Sequence, residues 1–381
     1  MRSLPVVATF AAYLPAAVAA PVADALSGGE PGPYVVAFCA AFALAFPAWG
    51  RWADRRESSS SETFVLGVAL VAVALAGALL AISPNEAWAI GARALEGAAA
   101  AGVPPVAQAI LARRGGAGGS GRSIGPMMIA VAVATLGGPL IASIVGDLTS
   151  WRWAIVVVAV LPALALSATL LALRAKAESP ARVDFLPHSE KKSTRSVLSL
   201  NSGLMAGWVV SALVLSAYWT VLTRLGTMVG SGGLDLGDGV AAFEPLAGAL
   251  GIPLVVLAAR SADRRGPRDA MTVTMAGGAL ALGAAAVSQS AAVFLVAAGM
   301  ALALYWAYLP VVAVQVQRSA PDDARARAAA VLYSSMWSGA AIGGLAATVA
   351  PSWRFVLVGA AIAWALAGLV AWRGFLPHPA R

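Results

Sequence analysis

Gly50-Arg51-Trp52-Ala53-Asp54-Arg55-Arg56 and Ala259-Arg260-Ser261-Ala262-Asp263-Arg264-Arg265 are two copies of one phrase, with the shared core Arg-x-Ala-Asp-Arg-Arg. Each copy terminates a long apolar run, and the two aspartates stand 209 residues apart in a chain of 381. A second echo, Ser150-Trp151-Arg152-Trp153 and Ser352-Trp353-Arg354-Phe355, recurs at an offset of 202. Two phrases in the same order at matching spacing mark two tandem copies of one unit.

The runs between the phrases say what the unit is. The chain is 60% hydrophobic and 12% charged, with a mean hydropathy of +0.80. A soluble domain carries about 25% charged residues, so lipid is the main solvent here. Crossing a bilayer takes roughly 20 apolar helical residues. Stretches of that kind fall at about 4–26, 33–50, 63–83, 87–112, 123–146, 151–174, 198–223, 239–259, 270–288, 291–317, 324–348 and 353–373. The expected fold is an all-α polytopic membrane protein with twelve transmembrane helices in two pseudo-symmetric six-helix halves. The halves are 1–174 and 198–381, joined by a polar cytoplasmic linker at 175–197. Gly226 to Gly239 reads as a glycine-rich, acidic outer loop.

Charge sets the orientation. With the N-terminus inside, 22 of the 26 Lys and Arg residues lie in cytoplasmic segments, which puts both termini in the cytoplasm. The same distribution argues against nucleic acid as the partner of the +8 net charge. The first stretch runs on too far to be a cleaved signal and is read as retained. Cys39, the single cysteine, excludes an internal disulfide. No phosphate-binding loop with Lys, metal-ligand cluster or nucleophile triad is present. An enzyme is therefore not expected, nor a metal, a cofactor or ATP as the energy source.

Twelve spans, a six-plus-six repeat and an Asp-Arg phrase after spans two and eight together resemble the major facilitator superfamily along essentially the whole chain. The family's loop signature Gly-x-Leu-Ala-Asp-Arg-x-Gly-Arg-Arg is matched at Gly50, Ala53, Asp54 and Arg55, while Glu57, Ser58 and Ser59 replace its tail. The second copy keeps Ala262, Asp263, Arg264, Gly266 and Arg268. Span four reads Arg93-Ala94-Leu95-Glu96-Gly97 followed by Gly102-Val103-Pro104, similar to the drug and sugar efflux branch, with Glu96 where Gln is usual. In span five Gly125, Ala134, Gly138, Pro139, Ala142 and Ser143 occupy the positions of that branch's antiporter signature. Their small size also serves close helix packing, and Pro139 adds a kink.

Two readings of the repeated phrase follow. Asp54 and Asp263 belong either to solvated loops with local ion pairs or to a latch. The resemblance implies that Asp54 faces the start of span eleven, near Arg325 and Arg327, where a helix N-terminus favours a carboxylate. By the repeat, Asp263 faces the start of span five near Arg122. Gly50, Arg55 and Arg264 complete this candidate set.

Arg93 lies well inside hydrocarbon, costly unless paired or wetted, and Glu96 is three residues on along the same helical face. Either the two form a self-neutralised structural pair, or they border a water-filled cavity where Glu96 exchanges a proton as hydration changes. Glu244 and Asp24 are further acidic candidates for proton coupling. Both histidines, His188 and His378, lie in cytoplasmic segments. The resemblance implies that spans one, four, seven and ten line the central cavity. Its candidates there are Tyr13, Gln108, Trp208, Tyr218, Trp219, Tyr305, Trp306, Tyr308 and Gln315, joined by Tyr333 and Trp337 from span eleven. An aromatic, weakly charged cavity suits a hydrophobic or weakly cationic solute.

The expected function is a monomeric, proton-coupled exporter of small amphipathic compounds in the cell membrane. Its partners are the lipid bilayer, the small-molecule substrate and the proton. An alternative with the same fold imports an organic anion, using Arg93 as counter-charge. A third reading is a non-transporting membrane receptor or assembly factor, against which the intact repeat and the buried charges speak.

Overall fold

A computed structural model describes residues 3–15, 19–26, 32–55, 59–158 with five scattered positions up to 169, 201–231, 239–321 and 324–375. The side chains of 115–120, 139–140 and 223–247 lie outside the described residues, as does that of Asp24. The expected linker at 175–197 falls outside them too.

The described residues form helices and their connections. In the first half these are α1 (Leu4–Tyr13), α2 (Ala19–Leu26), α3 (Gly32–Asp54), α4 (Ser59–Ala81), α5 (Glu86–Ala100) and α6 (Val103–Leu148), after which residues 151–158 are helical. The second half contains α7 (Ser202–Ser231), α8 (Gly239–Arg265), α9 (Pro267–Val287), α10 (Ala291–Ser319), α11 (Arg325–Val349) and α12 (Trp353–Gly374). Among the described residues, eight helices are long and apolar enough to cross a bilayer. Leu44, Val273, Leu280 and Val349 are each more than two-thirds exposed on their outer faces. That apolar surface is what a lipid-facing belt requires.

Two expected spans are broken, and proline explains both. In the first, expected as 4–26, α1 ends at Tyr13 and passes into a 3-10 turn at 14–15, where Pro15 has no backbone N–H to continue the helix. The fourth, expected as 87–112, stops at Ala100 and restarts at Val103. Pro104 and Pro105 sit in the first turn of the new helix, where their missing N–H groups cost nothing. Part of the expected outer loop at 226–239 is helical as well, since α7 continues to Ser231.

α6 holds 46 residues, about 69 Å at 1.5 Å per residue and too long for one crossing. Gln108 and Met128 would lie roughly 30 Å apart on a straight helix. Yet Tyr333 donates its hydroxyl hydrogen bond to Gln108 at 2.7 Å and lines one cavity together with Met128 and Val131. The chain therefore reverses between them. α5 with residues 103–114 makes span four, and residues 121–148 make span five.

Candidate functional site

The repeated phrase forms two long-range junctions. Asp54, the last residue of α3, accepts the N–H groups of Ala326 at 3.1 Å and Arg327 at 2.9 Å, and the Arg327 Nε at 2.9 Å. Asp263, near the end of α8, accepts the N–H groups of Gly121 and Arg122, each at 2.9 Å. These amides begin span eleven and span five, so each carboxylate fills the vacant donors of a helix N-terminus and its partial positive charge. Arg318, in the last turn of α10, reaches the Asp263 Oδ1 at 3.3 Å. Both junctions lie on one arginine-rich face, because the short 320–324 connection links Arg318 to the start of α11.

Small residues let the helices meet. A Cβ on Gly50 would fall 2.6 Å from the Ala330 Cβ and 3.0 Å from the Ala326 carbonyl oxygen. At the second junction the roles are exchanged: Ala259 is on the aspartate helix, and Gly121 and Gly125 are on its partner. The matched amides, Gly121 and Ala326, differ by 205 residues. The same offset carries the glycine pattern of span five onto Ala330, Gly339, Gly343, Gly344, Ala347 and Thr348 of α11, a third echo hidden by its alanine and threonine substitutions. Gly339 and Gly343 lie against the backbone of Ala212 and Ser216 in α7, where no side chain fits. Gly125 sits against Ala259 and Gly138 is buried, while the side chain of Pro139 is outside the described residues.

Of the expected latch residues, Arg327 pairs with Asp54 and Arg122 gives its backbone amide to Asp263. Arg325 offers its carbonyl to the Gln317 side chain at 3.3 Å. Arg55 and Arg264 are exposed rather than engaged with the aspartates. Arg318, a partner of Asp263, gave no sign in the sequence, because its approach depends on how α8 and α10 pack. The second echo acts elsewhere: Arg152 donates to the Ala81 and Ser83 carbonyls at 3.1 Å each, completing the C-terminus of α4.

Arg93 and Glu96 are both 1% exposed. The Arg93 Nη1 donates to Glu96 and, at 2.8 Å, to the Pro15 carbonyl in the break between α1 and α2. Its guanidinium lies 4.6 Å over the Phe38 ring, a desolvated cation–π contact. The pair is wedged among spans one, two and four. Gly97 makes this possible by seating α5 on the Phe38 backbone. Neither residue lines the central cavity. Glu244 and Asp24 fall outside the described side chains.

The central cavity lies at the seam of the halves and has a volume of about 60 Å³. That holds a few waters, against roughly 300–1,000 Å³ for a drug-sized pocket. Tyr13, Met128, Val131 and Thr135 line it from the first half. The second half contributes Leu215, Tyr218, Trp219, Tyr305, Trp306, Leu309, Tyr333, Met336 and Trp337. Tyr218 stacks on Tyr305 at 3.7 Å between ring centroids.

Four expected cavity residues stand outside this lining. Gln108 is taken up by Tyr333 and, at 3.5 Å, by the Ala313 carbonyl. Trp208 donates to the Ala328 carbonyl at 3.3 Å, Gln315 to Ser319 at 2.9 Å, and Tyr308 is buried behind Tyr305. Span five replaces span four at the wall, since the Gln108 side chain is consumed in helix contacts.

One aromatic series was missed. Phe38, Phe42 and Phe46 recur every four residues along α3, and that spacing was legible. Their ring centroids are 5.3 Å and 4.5 Å apart. Phe42 meets Tyr13 at 5.8 Å and Trp337 at 5.1 Å, and Phe46 stacks on Tyr333 at 5.4 Å. The series joins the Arg93 site to the cavity wall.

Solved structures share this architecture. A proton:xylose symporter, XylE, bound to 6-bromo-6-deoxy-D-glucose, has a TM-score of 0.71 and 15% identity over 97% of this chain and 95% of its own. The human organic anion transporter MFSD10 (TETRAN) has a TM-score of 0.72 and 14% identity over 97% and 99%. A bacterial homologue of the iron transporter ferroportin, outward-facing with soaked iron, has a TM-score of 0.71 and 14% identity over 97% and 98%. At such identities the likeness is one of fold. No curated protein sequence matches the chain. The sequence profile of the Major Facilitator Superfamily matches residues 4–344. With the two capped junctions and the cavity at their seam, this match means that the chain belongs to the major facilitator superfamily of membrane transporters.

Proposed function

We propose that this transporter is a proton-coupled exporter of small amphipathic, drug-like solutes, working by alternating access between its two halves. The observation that carries the reading is the cavity wall, which is aromatic, free of charged side chains and drawn from both halves. Such a wall suits a hydrophobic or weakly cationic solute. The arginine-rich face is the cytoplasmic one, with both termini on it. The two aspartate junctions are the latch that holds that face shut, and the solute meets the enlarged cavity when they part. The protein works as a monomer in the cell membrane, without a cofactor, on the proton gradient.

Glu96 is the coupling acid. A proton on Glu96 removes the charge that balances Arg93 and leaves the guanidinium to Pro15 and Phe38. Phe38 touches Phe42, and Phe42 touches Tyr13 and Trp337 in the cavity wall. Glu244 and Asp24 are secondary acids in this scheme. The alternative, uptake of an organic anion by Arg93, is disfavoured because Arg93 already has its anion in Glu96 and lies off the cavity wall.

Proteoliposomes with an imposed pH gradient, loaded with a lipophilic cationic dye, test the reading. Wild type should move the dye in response to the gradient, and Glu96→Gln should abolish that response. Dye movement indifferent to both the gradient and the substitution would exclude proton coupling.

A further inference from the structure

Beside the second junction a groove of about 530 Å³ runs between span five and α8. Its rim holds Arg122, Arg260 and Arg264, all exposed, and its floor holds Pro126, Ile129 and Val256. Among the described residues, none of these three guanidinium groups has a hydrogen-bonding or ion-paired partner; of Arg122, only the backbone amide reaches Asp263. Arg260 and Arg264 are one turn apart on the same face of α8, where like charges repel. Arg122 adds a third positive charge from across the groove.

Following the helices inward, the character changes along one line. Span five runs from Arg122 through Pro126 and Ile129 to Val133, which is 41% exposed. α8 runs from Arg264 through Arg260 and Val256 to the exposed Pro253. Charge lies at the end of the span and apolar surface continues toward its middle. The first junction lacks this pattern. At the 205-residue offset, Arg327 replaces Arg122 and is bound to Asp54, and Ser334 and Ser338 replace Ile129 and Val133.

We propose that this groove binds an anionic phospholipid, with the headgroup phosphate on Arg122, Arg260 and Arg264 and an acyl chain along Pro126, Ile129 and Val256. Because its two walls come from different halves and flank the Asp263 contact, the bound lipid braces the second junction in its closed arrangement. The first junction, with its polar wall, has no such brace. The site is independent of which solute is carried.

Full-length protein taken from phosphatidylcholine vesicles doped with phosphatidylglycerol, then analysed by native mass spectrometry, tests the proposal. Wild type should retain phosphatidylglycerol in preference to phosphatidylcholine. Each Arg→Gln change among Arg122, Arg260 and Arg264 should weaken retention about fivefold, the scale for one basic side chain at an anionic surface. Ile129→Trp, which fills the groove without altering charge, should lose the lipid too, whereas Arg51→Gln with Arg55→Gln should keep it. Equal retention of the two lipids overturns the site, and so does a preference that survives the triple arginine variant. An equal loss on removing Arg51 and Arg55, or displacement by inorganic phosphate alone, overturns it as well. The readout is binding, so failure here leaves the transport assay untouched, and the reverse holds.

Discussion

Arg93 has exchanged water for a carboxylate, a proline carbonyl and the face of a phenylalanine ring. Removing one partner of such a buried pair leaves the other charge stranded, which costs about 3–5 kcal/mol. Glu96→Ala should therefore lower the unfolding midpoint in detergent steeply. Arg93→Met combined with Glu96→Leu should recover much of the loss, because a hydrophobic pair of similar volume avoids the stranded charge. A double variant as unstable as the single one would show that the two residues do not act as an energetic unit. The spacing of Arg93 and Glu96 announced this pair, but the acceptor at Pro15 and the Phe38 ring belong to other helices and left no local trace.

Between helices, the contacts depend on residues too small to be noticed singly. Gly343 seats α11 on the Ser216 backbone, and the Thr220 hydroxyl donates to the Gly343 carbonyl at 3.0 Å. At the next residue, Gly344, an added methyl group would meet nothing within 4 Å. Gly343→Ala should thus destabilise the protein by about 1–3 kcal/mol through overpacking. Gly344→Ala should be neutral or gain up to about 1 kcal/mol from helix propensity. Thermal unfolding of the two variants side by side checks the contrast, and equal effects would remove the assigned contact. The pattern in span five was readable as a small-residue motif. Its copy in α11 was harder to see, because alanine and threonine stand at several of its positions.

At the scale of the molecule, the two aspartate junctions act in parallel across the seam. Each makes charge-assisted bonds to a helix start, worth about 1.5–3 kcal/mol apiece. Asp54→Asn or Asp263→Asn alone should loosen the arginine-rich face, and the two together should open it. Spin labels at Arg55→Cys and Arg264→Cys, in a Cys39→Ala background, report the separation of the halves there. The double aspartate variant should add a longer-distance population that wild type lacks. Unchanged distances would mean that other contacts keep the face closed. The family resemblance pointed Asp54 to the start of span eleven, and the repeat carried the same expectation to Asp263 and the start of span five. It said nothing of Arg318, whose approach to Asp263 is set by how α8 and α10 pack.

Hydrophobic run length, the placement of arginine and two repeated phrases were enough to determine a polytopic helical fold in two related halves. Those signals are local or periodic: a bilayer imposes its thickness on each run, and duplication copies each phrase in order. The location of the Arg93–Glu96 pair away from the cavity, the replacement of Gln108 by span five at the wall, and the cluster of arginines beside Asp263 were decided only by tertiary structure. Each depends on which face of one helix meets which face of another, and side-chain fit between distant segments, rather than any local pattern, makes that choice.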